Sequence, residues 1–319
     1  MQQRQLGRSG LQCSVIALGT WAFNAQVYGP VAISEATATV HRALEEGITL
    51  YDTAPLYGSR EEDGISERIL GGALGADRDQ VLISTKFGRR PTTGNRPEFD
   101  AAHATASVEA SLQRLGTDRI DVLFFHSPFG PDEIADDVWG ALEKLRSSGK
   151  VRAIGHSISK FEDTASMART WAQEGCIDVI QVVLSLLNRE TQGLIEELAA
   201  DGVGVLARES LANGFLSGTM TANTVFPEGT LNARYDPQEV TARVEQVARL
   251  GFLVDGQIES MPQAAMRWVL DQEGVSSVLT GARTPEEISD CARAAVVSPY
   301  SADDLARARE LHQQDFSAA

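Results

Sequence analysis

The sequence predicts a single (β/α)8 barrel domain spanning 1–319, preceded by a short hairpin and carrying long loops on one face. Eight short β-branched or apolar runs alternate with longer amphipathic runs. Such alternation implies parallel strands joined by helical crossovers. Polar residues recur near the ends of successive runs, and strand C-termini are where a barrel keeps its chemistry. Eight units favour a closed barrel over an open sheet. With 319 residues, 43% of them hydrophobic, the chain buries a large core, and α/β barrels of this length routinely form one domain.

The elements follow in order. RQLGRSGLQCSV reads as a hairpin around Arg8, Ser9 and Gly10 that closes the bottom of the barrel. The strand candidates are 15–18, 48–52, 81–86, 121–126, 151–156, 178–183, 202–208 and 276–281. Helical patterns occupy 34–46, 64–75, 100–114, 133–148, 161–174, 189–200 and 284–295. A further helical stretch, 237–272, breaks near Gly251 to Gly256 and again at Pro262. Ser34 starts the first helix and Gly47 ends it, while Asp100 and Pro285 mark two other helix starts. The irregular stretches 21–33, 87–99 and 212–236 follow the first, third and seventh strands, so they shape the pocket face. Within the last, 227–239 is a candidate lid.

Charge narrows the partners. The net charge is −16 and the sequence pI about 4.8, which argues against nucleic acid or an anionic membrane. A local site for an anionic cofactor remains compatible with that balance. Cys13, Cys176 and Cys291 are scattered and odd in number, as expected of reduced thiols. No run reaches the roughly 18 apolar residues of a membrane span, and the N-terminus is polar; a soluble cytoplasmic protein is expected. No metal site is expected. A metal-dependent barrel hydrolase built on Asp52, His126 and His156 is disfavoured by the scarcity of histidines and the lack of HxH after the first strand. Because Ser157 should face the site, its neighbour His156 should face a helix as a packed residue; His41, His103 and His312 read as surface residues.

The chemistry gathers at three successive strand ends. Asp52 and Tyr57 lie in TLYDTAPLYG, Lys86 in VLISTKFG and His126 in IDVLFFHSP. Neighbouring strands lie about 4.8 Å apart, so Asp52, Lys86 and His126 can meet, with Tyr57 folding back from its loop. A Tyr beside a Lys paired with an Asp suggests a phenol tuned for proton transfer.

These segments, with the opening RQLGRSGLQCSVIALGTW, GISERILGGAL, LEKLRSSGKVRAIGHS, IQVVLSLLNR, LANGFLSG and VLTGARTPEEI, resemble the aldo-keto reductase family nearly end to end. The resemblance implies NAD(P)H-dependent hydride transfer between nicotinamide and a small carbonyl or alcohol substrate, such as an aldehyde, ketone or sugar. Tyr57 is then the general acid/base. Lys86 is expected to lower its pKa from about 10, Asp52 to hold Lys86 charged, and His126 to bind the substrate oxygen. A cofactor-binding regulatory subunit with little turnover, like the barrel β-subunits of potassium channels, is the alternative.

The resemblance also implies cofactor contacts from Gly19, Thr20, Trp21 and Asp52, with Ser157 and Gln181 on the nicotinamide carboxamide. The family usually has Ser-Asn where this chain has Ser157-Ile158, so one amide contact is absent. Arg208 stands where many relatives stack a Tyr or Trp on the nicotinamide; it either stacks there, favouring the reduced ring, or pairs with Glu209 and faces solvent. Ser210, Leu211, Asn213, Gly214, Leu216 and Gly218 belong to the loop over the pyrophosphate, with Ser210 where Pro is common. Gly281, Arg283, Glu287 and Asp290 correspond to the adenosine end. Arg283 suits a 2′-phosphate, whereas Glu287 replaces a Gln or Arg and repels one. NADP(H) is favoured and NAD(H) is possible. Trp21, with Tyr57, His126 and Phe129, lines the expected substrate pocket, and Trp21 is the best candidate for its wall. Phe23, Tyr28 and Phe226 are equally well explained by loop packing.

Overall fold

A computed structural model describes residues 1–316. Eight strands close into a barrel with every pairing parallel, the strand that begins at Ser277 sealing it between those that begin at Gly204 and Ile16. They are β3 (Ile16–Gly19), β4 (Leu50–Asp52), β5 (Leu82–Phe87), β6 (Ile120–His126), β7 (Val151–Ser157), β8 (Val179–Val183), β9 (Gly204–Arg208) and β10 (Ser277–Thr280). Each lies within two residues of its sequence expectation, because the buried apolar runs that announce the strands also carry the pairing.

The hairpin forms as expected from β1 (Gln3–Gln5) and β2 (Gln12–Ser14). Leu6, Leu11 and Cys13 plug the bottom of the barrel against Leu50, Val122, Phe124, Ala153, Val179 and Leu206. At the turn, Gly7 has φ +53°, and a Cβ there would stand 2.0 Å from the backbone nitrogen of Gly204. Only glycine permits that approach.

The crossover helices are α2 (Ile33–Glu45), α3 (Ile65–Leu74), α4 (Ala101–Leu115), α5 (Val138–Ser147), α6 (Phe161–Gln173), α7 (Gln192–Ala200) and α9 (Met261–Leu270), and α10 (Pro285–Arg293) follows β10. Their apolar faces pack on the outside of the sheet in two large clusters. The short α1 (Ala25–Tyr28), the loop helix α8 (Pro237–Arg249) and the C-terminal α11 (Ala302–Gln313) complete the described chain.

Several boundaries differ from expectation for visible reasons. The first crossover helix is capped by extended Ala32, whose carbonyl receives Glu35 and Ala36 N–H, so Ser34 lies inside the helix. The stretch 133–148 begins helical only at Val138, because the Glu133 carboxylate is held by Arg89 and the Phe129 N–H. The stretch 189–200 starts at Gln192, after a turn in which Ser185 bonds Leu187 and Asn188. The interrupted stretch 237–272 resolves into α8, a 3-10 turn and α9. Pro262 does not break a helix: it sits in the first turn of α9 behind the Ser260 cap, where no N–H is needed. Neither α1 nor α11 was anticipated. Asp100 caps α4 and Thr284 with Pro285 opens α10, as expected.

Candidate active site

Strand register assembles the site. Gly19 pairs with Asp52, and Asp52 with Ser84, across β3, β4 and β5. His126, Ser157 and Gln181 form one row across β6, β7 and β8. Tyr57 is brought back by the tight loop after β4, in which its N–H bonds the Ala54 carbonyl.

Lys86 is the centre. It is 1% exposed, and its ammonium donates to Asp52 Oδ2 at 2.6 Å, the Thr53 carbonyl at 2.9 Å and Tyr57 Oη at 3.0 Å. An ammonium has three N–H groups and no acceptor, so every donor is placed. Asp52 takes two further bonds, from Ser84 Oγ at 2.7 Å and Gln181 Nε2 at 2.9 Å, both on Oδ1. Since Tyr57 Oη accepts from Lys86, its own proton is free for another acceptor. The His126 ring meets the Tyr57 ring edge-on, with centroids 5.9 Å apart, and its Nδ1 is buried without a partner.

Electrostatics give each group a protonation state. Burial works against the Lys86 ammonium, but Asp52 and Tyr57 outweigh it and raise its pKa above the ordinary lysine value. Burial also raises the Tyr57 phenol; Lys86 pulls down, Asp52 pushes up, and the net is upward. The expected lowering of Tyr57 by Lys86 therefore operates as one component, and desolvation overrides it. Burial first, then the charges of Lys86, Arg208 and Arg89, hold His126 well below the usual imidazole range. Near neutral pH the site holds a charged lysine, a protonated phenol and a neutral imidazole.

The remaining candidates line the same mouth. Thr20 is buried with its hydroxyl unpaired, and Trp21 stands edge-on to Tyr28, with centroids 6.2 Å apart. Ser157 Oγ reaches Gln181 Oε1 at 3.4 Å. Arg208 pairs with Glu209 and donates to the Ile158 carbonyl at 3.0 Å; it is partly buried, and its charge acts on both Tyr57 and His126. Beyond it, Glu209, Ala212, Asn213 and Gly214 all have left-handed φ, and Ser210 is buried with an unpaired hydroxyl. Leu211 is half-buried and Leu216 fully buried beneath this loop, which ends at Gly218 with φ +77°. Of the 227–239 stretch, Asn232 donates to the Asn213 carbonyl at 2.8 Å, and Tyr235 packs on Phe215. Residues Leu231–Arg234 also touch α1, so this segment bridges two sides of the mouth.

At the far end, Gly281 leads into Arg283, whose guanidinium crosses to the Pro30 carbonyl at 3.4 Å and whose Nε is buried and unpaired. Glu287 accepts the Arg283 N–H at 2.7 Å, capping the start of α10. Asp290 is turned to other work: its oxygens take Ser260 Oγ and Gln263 Nε2, both at 2.6 Å, tying α10 to α9. Phe129 is exposed at the rim under the Arg89 guanidinium, 4.4 Å from its ring centroid. His156 packs on Trp171 as expected, without a hydrogen bond, and burial pulls it down to about 3. Among the described residues no cluster of His, Cys, Asp or Glu suits a metal ion.

The sequence pattern of the Aldo/keto reductase family matches residues 15–313. The chain belongs to this family. It is 33% identical over 303 residues to Aldo-keto reductase YhdN of Bacillus subtilis (strain 168), covering 90% of this chain and 87% of that one. It is 31% identical over 326 residues to the NADH-specific methylglyoxal reductase of Escherichia coli (strain K12), covering 95% and 96%. Among solved structures, glycerol dehydrogenase AKR11B4 from Gluconobacter oxydans superposes with a TM-score of 0.81 at 28% identity, covering 99% and 97%. As an aldo/keto reductase the chain is an NAD(P)H oxidoreductase of carbonyl and alcohol groups.

Sequence reasoning missed several parts of this reductase's site. Ser84 and the Thr53 carbonyl complete the coordination of Asp52 and Lys86. Arg89 binds the Ser127 carbonyl, the Asn95 carbonyl and Glu133, joining the loops after β5 and β6. The signal for Ser84 was available: it lies two residues before Lys86, on the same strand face. Arg89 carried no such signal, because Ser127 and Glu133 are distant in sequence and the Asn95 contact depends on the fold of an irregular loop.

Proposed function

We propose that this chain is an NADP(H)-dependent reductase of small aldehydes, ketones or sugars, with Tyr57 as the proton donor. The observation that carries the reading is the buried Lys86 ammonium, fixed by Asp52 and bonded to Tyr57 Oη at 3.0 Å. In reduction, Tyr57 gives its proton to the substrate oxygen; in oxidation it takes one from the alcohol. Lys86 stabilises the phenolate left behind, and Asp52 keeps Lys86 charged and still. Neutral His126 offers an N–H to the same oxygen and orients it. Trp21 and Phe129 form the walls against which the substrate carbon lies.

The residues present suit a dinucleotide. Buried polar atoms are normally paired, yet Thr20, Thr53, Arg208, Ser210, Asn213, Asn232 and Arg283 each keep one unpaired at this mouth. Gly19, Thr20, Trp21, Asp52, Ser157, Gln181 and Arg208 would hold the nicotinamide end. The 210–218 loop would hold the pyrophosphate, and Gly281, Arg283 and Glu287 the adenosine end, with Asp290 supporting it through α9. When bound, NADP(H) supplies the hydride. NAD(H) is the second reading, favoured by the Glu287 carboxylate at the α10 N-terminus and by the NADH-specific relative. Relatives named for methylglyoxal, L-glyceraldehyde 3-phosphate and D-threo-aldose support a small polar substrate. Three free thiols suit the cytoplasm.

Turnover of Tyr57→Phe tests the assignment. Loss of a positioned acid should slow reduction by about 10²–10⁴-fold while NADPH still binds in a fluorescence titration. Activity within about tenfold of wild type would remove Tyr57 from that role.

A further inference from the structure

A pair of arginines lies apart from the tetrad of Asp52, Tyr57, Lys86 and His126, where the β8–α7 loop meets α11. Arg189, Asn188, Gln192, Arg309 and His312 line a hollow of about 500 Å³ there, within the range of small-molecule pockets. Arg189 is 9% exposed. Its guanidinium lies 4.4 Å from the Trp268 ring centroid, and Nε bonds the Leu186 carbonyl at 3.1 Å. Its Nη2 is buried and unpaired, and so is Oδ1 of the preceding residue, Asn188.

The charge arrangement is unusual for an acidic chain. Arg189 has no ion pair among the described residues, and the one charge that acts on it is Arg309, of the same sign. Burial first, and then Arg309, pull Arg189 down to about 10. His312 lies in the same lining, and burial first, then the charge of Arg189, lower its pKa, opposed by Asp315 and a bond with the Leu187 backbone. Glu190 also lines the hollow, but it forms no ion pair with Arg189 among the described residues. Neither Arg189 nor Arg309 forms an ion pair among the described residues, so both lack the partner that guanidinium geometry matches best, an oxyanion taken in a two-pronged bond. Trp268 fixes the Arg189 plane beforehand, so little ordering remains to be done on binding.

We propose that this hollow is a second binding site, separate from the tetrad, for a small molecule bearing a phosphate or carboxylate group. Arg189 and Arg309 grip the oxyanion and Asn188 contacts its polar remainder. The site is independent of the reaction assigned above.

Calorimetric titration of the NADPH-saturated protein tests this, the bound cofactor keeping the probe out of the pyrophosphate site. The probes are inorganic phosphate and, separately, succinate, at constant ionic strength. Saturable binding of either anion is expected, with phosphate alone marking a phosphoryl ligand and succinate alone a carboxylate ligand. Arg309 is exposed, so Arg309→Ala should fold normally, keep its turnover and weaken binding by about tenfold or more, the worth of one charge-assisted bond. Absence of saturable binding for both anions overturns the proposal. Binding unchanged in both Arg309→Ala and Arg309→Glu overturns it too.

Discussion

The two ends of this barrel contain similar buried aspartates and use them differently. At the N-terminal end, Asp121 accepts from Arg78 and Arg152, both at 2.8 Å, and from the Ile83 N–H at 2.9 Å. All three of these bonds join structural groups of the barrel wall. At the C-terminal end, Asp52 is as fully bonded, but its lysine carries a third bond onward to Tyr57. The bottom is also sealed by an apolar plug, whereas the top keeps buried polar atoms of Thr20, Thr53, His126, Ser210 and Arg283 unpaired. The Asp121 network closes on structural partners, whereas the C-terminal mouth leaves several buried polar atoms unpaired.

The sharpest way to break this contrast is to damage both aspartate networks and compare. Lys86→Met should lower turnover by about 10²–10⁴-fold, because the phenol loses the charged group bonded to its oxygen. Asp121→Asn should instead leave turnover per folded molecule unchanged and cost about 3–5 kcal/mol of stability. Equal catalytic losses in the two variants would show that the ends are not functionally distinct.

The plug gives a milder version. Leu6→Ala should cost about 2–5 kcal/mol in denaturant unfolding with kcat/KM unaltered; a fall in kcat/KM at full folding would connect the bottom to the chemistry. The pH profile sharpens the top. With His126 held below its ordinary range and Tyr57 above, reduction should be flat from mildly acidic to neutral pH. It should fall only on the alkaline side, as the phenol loses the proton it must donate. An inflection near pH 6.5 that disappears in His126→Gln would contradict a neutral imidazole. The smallest effect concerns the mouth's outer edge: Arg283→Ala should weaken NADPH by about tenfold and NADH little, read by fluorescence titration. Equal weakening of both would assign Arg283 to bridging the loops through Pro30 rather than to a 2′-phosphate.

The sequence made most of the barrel legible because strand signals are local. A run such as DVLFFH is apolar enough to be buried whichever helices cover it, and alternation with amphipathic segments then implies parallel order. Helix starts were less secure. Asp100 caps as its chemistry suggests, but Ser34 does not, since the backbone turns two residues earlier at Ala32. Glu133 reads as helical by pattern and is captured by an arginine more than forty residues away. Such long-range competition has no trace in a local window.

The site divides along the same line. By itself, the sequence determined which residues stand at the strand ends, since strand length and register follow from apolar runs, and with them the company of Asp52, Lys86 and His126. Only the tertiary structure decided their states. A nearby lysine predicts a depressed phenol, yet burial raises it, because desolvation depends on everything packed around Tyr57 and not on one neighbour. The same holds for Asp290, which the sequence placed by analogy near a cofactor and the fold turned toward Ser260 and Gln263. Residue identity and spacing are properties of the chain; burial, orientation and the choice among competing partners belong to the packed molecule.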